Sequence, residues 1–248
     1  MTLEAGSKRP LEGRIILVTG ASRGIGYAAA RHMAEQGAHI IALARTQGGL
    51  EDLDDTIKNL GGDTTLVPID LKNFDGIDQL GAVIHDRWGR LDGLLGNAGV
   101  LGDLTPAPHV NPDVFENVMA VNMTANYRLI RSFDPLLRAS PSGRAVFLTS
   151  SVGRNPRAFW NAYGASKAAL ETFVLSYAQE SSVTNLKVNI LDPGGTRTAM
   201  RAKAMPGEDA QTLPDPADLA PLITEMLSPQ YDETGAHIKF RQTPYFKG

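Results

Sequence analysis

The run Ile15-Ile16-Leu17-Val18-Thr19 passes straight into Gly20-Ala21-Ser22-Arg23-Gly24-Ile25-Gly26, and a stretch of helical pattern follows. A short apolar run before a glycine-rich turn reads as a buried strand feeding a helix. Small residues in that turn let a backbone approach a pyrophosphate, whose charge sits at the positive end of the following helix. Many turns need glycine for reasons unrelated to any ligand. The spacing here is Gly-xxx-Gly-x-Gly rather than the more widespread Gly-x-Gly-xx-Gly. Its position between a strand and a helix in the first βαβ unit points to dinucleotide binding.

The rest of the chain repeats the alternation. Apolar runs at 15–19, 39–43, 64–68, 92–96, 144–149, 186–191 and 236–240 are the strand candidates. Amphipathic stretches near 24–36, 49–60, 75–88, 112–123, 125–139, 161–181 and 216–227 are the helix candidates. Right-handed crossovers then give an α/β fold. The expected architecture is one Rossmann-like domain over 14–248, a doubly wound parallel sheet of about seven strands with helices on both faces. Residues 1–13 read as a loose lead-in. Two connections, 97–111 and 192–215, are longer than the usual few residues, and such loops are often functional. The segment 194–214 is expected to act as a lid over the site, or else as an ordinary surface excursion.

With 248 residues, 42% of them hydrophobic, the chain is long enough for one sizeable core. Its net charge of −3 comes without a basic run, so nothing points to nucleic acid or to an anionic membrane surface. There is no cysteine, which excludes disulfides, thiolate metal sites and cysteine nucleophiles. No apolar stretch approaches the roughly 18 residues of a bilayer span. These features lead to the expectation of a cytoplasmic protein. The five histidines show no paired spacing and no companion acidic cluster, so no metal site is expected.

The end of the second strand bears on which dinucleotide binds. A carboxylate there would hold a ribose 2′-hydroxyl and repel a 2′-phosphate. The run is instead Ile41-Ala42-Leu43-Ala44-Arg45, and Arg23 stands directly before Gly24. Two guanidinium groups near the adenosine end suit a phosphate dianion; the alternative is a pair of solvated surface arginines. Tyr163 and Lys167 lie four residues apart, which on a helix puts phenol and ammonium on one face. A nearby fixed positive charge is expected to lower the phenol pKa from its usual value near 10. Such a pair also occurs by chance in many helices.

Taken together, these motifs resemble the short-chain dehydrogenase/reductase family over nearly the whole chain. Thr19 to Gly26 resembles its nucleotide-binding motif, with Gly20, Ser22, Arg23, Gly24, Ile25 and Gly26 facing the cofactor. Asn97-Ala98-Gly99 resembles its motif after the fourth strand, although Gly96 stands where the family often has another asparagine. Asp70 matches the acidic residue beside the adenine. Pro193-Gly194-Gly195-Thr196-Arg197-Thr198 resembles the stretch at the nicotinamide end, where Thr196 and Thr198 are expected to make contacts. Asn122, Ser150, Tyr163 and Lys167 match the catalytic tetrad, with Ser150 selected over its neighbour Ser151 by counting back from Gly153. The runs Ser151–Arg154 and Gly194–Ala202 are similar to those of the YciK-type bacterial oxidoreductases within the family.

The resemblance implies NADP(H) as cofactor, a small-molecule carbonyl or alcohol as substrate, and a homodimer or homotetramer. Tyr163 would transfer the proton, Ser150 would bond the substrate oxygen, Lys167 would support the phenolate and the ribose, and Asn122 would hold a water. Two other readings of the same scaffold stand beside it: reduction of activated carbon–carbon double bonds, and a non-catalytic NADP(H)-binding regulator. Phe159 and Trp160 either wall a substrate pocket or serve packing, and Arg154 and Arg157 either meet a polar substrate or are solvated. The family's frequent Asp-Gly-Gly ending is replaced here by Phe240-Arg241-Gln242-Thr243-Pro244, which opens the question of how the C-terminus packs.

Overall fold

The computed structural model describes residues 9–247, so the start of the expected lead-in lies outside the described residues. Seven strands form one sheet: β1 (Ile15–Thr19), β2 (His39–Ala44), β3 (Thr64–Pro68), β4 (Gly93–Gly96), β5 (Arg144–Leu148), β6 (Lys187–Asp192) and β7 (His237–Lys239). Their spatial order is β3-β2-β1-β4-β5-β6-β7, and every neighbouring pair is parallel. The chain winds outward from β1 in one direction and, after β3, returns to lay β4 on the other side of β1. At such a reversal the crossovers diverge and leave a crevice beyond the carboxyl ends of the strands.

Eight helices cover the two faces: α1 (Gly24–Glu35), α2 (Gln47–Asn59), α3 (Phe74–Trp88), α4 (Pro112–Met119), α5 (Ala125–Ala139), α6 (Asn161–Ser181), α7 (Ala199–Ala204) and α8 (Pro216–Met226). The period-two alternation of each strand divides the core. Ile16, Val18, Ile40, Ala42, Val146 and Leu148 point to the side of α1, α2 and α8. Ile15, Leu17, Ile41, Leu43, Ala145 and Phe147 point to the side of α3, α5 and α6. Burial on both faces explains why the central strands read as unbroken apolar runs.

Element ends agree with the expected ones to within one or two residues, and two regions differ. The expected break between 112–123 and 125–139 is a π-helical turn, Ala120–Thr124, that joins α4 to α5 without interruption. Within the expected lid, Thr198 caps α7 by accepting the Arg201 amide at 3.2 Å. Ala199-Met200-Arg201-Ala202-Lys203-Ala204 are all good helix formers, and behind a threonine cap they make one short helix inside an otherwise turn-rich segment. The unusual C-terminus folds back on the core. Phe240 is fully buried, with its ring edge-on to Phe246 at 5.7 Å, and the Tyr245 hydroxyl donates to Glu225 on α8 at 2.8 Å. Among the described residues, no helix is long and apolar enough to cross a membrane.

Candidate active site

A cleft of about 1820 Å³ lies over the carboxyl ends of the strands, bounded by the glycine turn on one side and the segment around α7 on the other. The glycine turn is shaped by contact. Gly20 and Gly24 have φ of +68° and +60°, a region that side chains disfavour. A Cβ on Gly26 would fall 2.4 Å from both the Gly20 carbonyl and the Asn97 Nδ2, so only glycine lets α1 start this close to β1. Asn97 is the brace: its Nδ2 donates to the Thr19 carbonyl at 2.8 Å, while the Thr19 hydroxyl accepts the Asn97 and Ala98 amides. The first turn of α1 carries no acidic side chain, and Arg23 at its cap makes no side-chain cap bond. The helix therefore presents unmatched amide donors and positive potential to the cleft, as a bound pyrophosphate requires.

Arg45 and Asp70 stand at the ends of β2 and β3, with the guanidinium mostly exposed and 4.0 Å from the carboxylate. An exposed pair at that distance holds its partners weakly, which leaves Arg45 available to an anion. Arg23 is also exposed and lines the same end of the cleft. Ser22 packs beneath α2, whose Gly49 has no room for a Cβ against the Ser22 backbone. The residues present fit a dinucleotide carrying a 2′-phosphate.

At the other end of the cleft, Ser150 follows β5, Tyr163 and Lys167 lie on α6, and Asn122 sits in the π-helical turn. The Ser150 hydroxyl lies near enough to the Tyr163 phenol to favour its phenolate, and Ser151 also lines the cleft. Tyr163 keeps part of its surface open to the cleft, whereas Lys167 is buried. The Lys167 Nζ donates to the Leu148 carbonyl at 2.8 Å and lies 5.8 Å from the phenol ring centroid. This geometry overturns the expected direction of the phenol shift. Burial pushes the Tyr163 pKa up to about 12, with Ser150 opposing it and Asp192 adding to it. Burial likewise brings the Lys167 pKa down to about 8, against the pull of Glu171 and Asp192.

Asn122 is fully buried, and its amide is committed to the backbone. Oδ1 accepts the Val100 amide at 2.8 Å, and Nδ2 donates to the Val100 carbonyl and to the Ser166 hydroxyl. Both ends of the side-chain amide are thus engaged, and the backbone carbonyl of Asn122 accepts from Asn126 at 2.8 Å. Gly99 is the near neighbour of both groups: a Cβ there would stand 3.3 Å from the Asn122 Oδ1 and 3.7 Å from the Lys167 Nζ.

The stretch from Pro193 to Thr198 closes the cleft floor. Gly194 has φ of +66° and its amide donates to Asp192 at 2.9 Å. The Thr196 hydroxyl donates to the Pro193 carbonyl, and Thr198 caps α7. Asp192, absent from the sequence reading, shapes this turn; a carboxylate ending a buried strand was its only signal. Trp160 and Arg157 line the cleft, and Trp160 meets Tyr163 edge-on at 5.9 Å. Phe159 does not wall the cleft: it has φ of +73° and points to solvent. Arg154 turns away to Glu171. Among the described residues no group of histidine and carboxylate side chains is placed to hold a metal.

The family model for short chain dehydrogenases matches residues 14–209, which spans β1 to β6, the glycine turn and all four tetrad positions. The chain is a short-chain dehydrogenase/reductase. It is 45% identical over 218 residues to the uncharacterized oxidoreductase YciK of Escherichia coli, covering 86% of this chain and 85% of that one. It is 30% identical to the 3-oxoacyl-[acyl-carrier-protein] reductase FabG of Vibrio harveyi, over 89% of this chain and 92% of that one. A crystal structure of a short chain dehydrogenase from Shigella flexneri, complexed with NADP, superposes with a TM-score of 0.90 at 42% identity, over 94% of this chain and 99% of that one. Against that family background the glycine at position 96 has a local cause. A Cβ there would fall 2.3 Å from the Phe147 ring, so the phenylalanine on β5 fills the space that a side chain would need.

Proposed function

We propose that this short-chain dehydrogenase/reductase interconverts a carbonyl and an alcohol with NADP(H), and that Tyr163 transfers the proton. The observation that carries the reading is the meeting of Ser150, Tyr163 and Lys167 at the end of the cleft opposite the glycine turn. The bound nicotinamide supplies or accepts the hydride. Everything else falls to the chain. With a pKa near 12 the phenol holds its proton at neutral pH, the state from which carbonyl reduction starts. The Ser150 hydroxyl stands beside it to bond the substrate oxygen as negative charge develops there. Lys167, still mostly protonated at neutral pH, supports the phenolate once the proton has left.

Arg45 and Arg23 at the adenosine end would hold the 2′-phosphate, with Asp70 beside the adenine. Asn97, Ala98 and Gly99 hold the cofactor wall, while Thr196 and Thr198 sit at the nicotinamide end. The NADP-bound Shigella flexneri relative and the reductase FabG support the cofactor and the carbonyl chemistry respectively. The segment 194–214 acts as the lid, braced within itself by Arg201 on Glu208 at 2.5 Å and tethered by Lys203 to Asp103 at 3.9 Å and by Arg197 to Asp215 at 2.7 Å. A second protomer would cover the outer face of α4 to α6, where Phe115 and Tyr127 are exposed and Tyr127 meets Phe173 edge-on at 5.7 Å.

A panel of aldehydes, ketones including benzil, and quinones, followed at the nicotinamide absorbance band with NADPH, tests the reading. Reduction of carbonyls with NADPH in preference to NADH is the expected result; activity confined to activated alkenes would reject it.

A further inference from the structure

Glu171 lies one helical turn beyond Lys167, as Lys167 lies one turn beyond Tyr163, so the three share a face of α6. Only 4% of its surface is exposed, and a carboxylate so placed is costly unless it is paired. Both oxygens are used. One accepts the Thr149 hydroxyl; the other accepts the Arg154 Nε at 2.5 Å. Thr149 immediately precedes Ser150, and Arg154 follows the 3-10 turn Ser151–Gly153. A single side chain of α6 therefore grips the loop on both sides of Ser150, beside the bond from Lys167 to Leu148. None of the proton-transfer steps above uses it.

We propose that Glu171 is a positioning residue for the proton-transfer set: it fixes Ser150 against Tyr163 and supplies the negative charge that keeps buried Lys167 an ammonium. This rests on the reading of Tyr163, Ser150 and Lys167 given above.

The surrounding charges are few. Lys167 faces Glu171 on its own helix and Asp192 on β6. Glu171 faces Arg154 from the loop and His237 from β7. Burial lowers the His237 pKa, so that imidazole is neutral where the enzyme is expected to work. Its Nε2 is buried with no hydrogen-bond partner among the described residues. Of the two carboxylates that hold the proton on Lys167, Glu171 has the larger effect. Arg154 partly offsets its charge from the solvent side.

The sign of each change follows. Lys167 has its pKa depressed by burial and raised by Glu171, so removing that charge makes the ammonium lose its proton at lower pH. The test follows NADPH affinity by nicotinamide fluorescence across the neutral to alkaline range, with benzil turnover measured alongside. Glu171→Gln should move the alkaline loss of NADPH affinity down by about one pH unit, equivalent to a tenfold weakening above the limb. Glu171→Asp keeps the charge but not the reach, so it should leave the limb in place and lower turnover. Arg154→Gln alters only an exposed partner and should move the limb the opposite way, upward, which keeps the test open should Glu171→Gln not fold. An unmoved limb in both Gln variants, or a Glu171→Asp turnover equal to that of the unmodified protein, overturns the proposal. Tyr163→Phe separates the two failures: undiminished turnover in that variant sinks the underlying reading, whereas an inactive Tyr163→Phe with unmoved limbs sinks only the role of Glu171.

Discussion

The face of α6 that carries Tyr163 and Lys167 and the segment around α7 lie on the same cleft, yet they are held in different ways. Lys167 is buried and bonded to a strand carbonyl, and Asn122 beneath it has both ends of its amide tied to backbone and to Ser166. Across the cleft, α7 is six residues long, has no buried residue, and its segment meets the rest of the domain through the exposed pairs Lys203–Asp103 and Arg197–Asp215. Buried bonds of the first kind cost a great deal to break, because one partner is left unsatisfied. Exposed ion pairs contribute little, and salt screens them. The molecule thus spends its rigidity where a proton has to move and leaves the entrance loosely held.

The largest expected effect breaks the rigid side. Tyr163→Phe keeps the ring and its contact with Trp160 but removes the transferable proton, so turnover should fall by at least about 100-fold while NADPH still binds. Steady-state rates alongside fluorescence titration check it, and near-normal turnover would reject the proton-transfer role.

Next in size comes the cofactor's far end, where Arg45 is neither buried nor firmly paired. Arg45→Ala should weaken NADPH binding by about 1.5–3 kcal/mol, the scale of a hydrogen bond to a charged group, with much less effect on NADH. Calorimetric titration of both cofactors decides; equal losses for the two would remove Arg45 from the 2′-phosphate site.

The association of protomers tests whether the exposed aromatic face of α4 to α6 is covered in solution. Light scattering at micromolar concentration should give the mass of a dimer or tetramer. Replacing Tyr127 and Phe115 by serine should shift it toward the monomer, and a monomer mass for the unmodified protein would refute the assembly.

The smallest effect probes the loose side. Arg197→Ala releases Asp215 and should leave the unfolding midpoint almost unchanged, since exposed pairs contribute little. Amides across 199–212 should exchange faster than those of α6 in the free protein and slow when NADPH is added. Slow exchange that NADPH does not alter would make the segment a fixed part of the domain rather than a lid.

Strand and helix ends were readable because the central apolar runs are buried on both faces and the turns are marked by glycine, proline or a capping side chain. Asn73, Asn111 and Asp215 each accept an amide at a helix start. Ser150 was singled out from Ser151 by spacing alone, and both line the cleft. What lay outside reach were effects of the third dimension. The direction of the Tyr163 shift depends on how deeply α6 is packed and on Asp192 at the end of β6 adding its charge. The commitment of the Asn122 amide depends on a loop twenty-two residues earlier in the chain. The role of Glu171 is similar: its spacing from Lys167 is visible, but Thr149 and Arg154 approach it only when β5 and α6 meet.

The π-helical turn at Ala120–Thr124 amounts to one surplus residue wound into an otherwise continuous rod. The widened turn takes up that residue by itself, so a regular helix one residue shorter, at about 100° per residue, would leave α4 and α5 facing the same ways. The apolar stripe of α5, with Leu129, Phe133 and Leu137, would stay on the sheet. What a change of length there would disturb is the turn that carries Asn122, not the packing of the helices on either side of it.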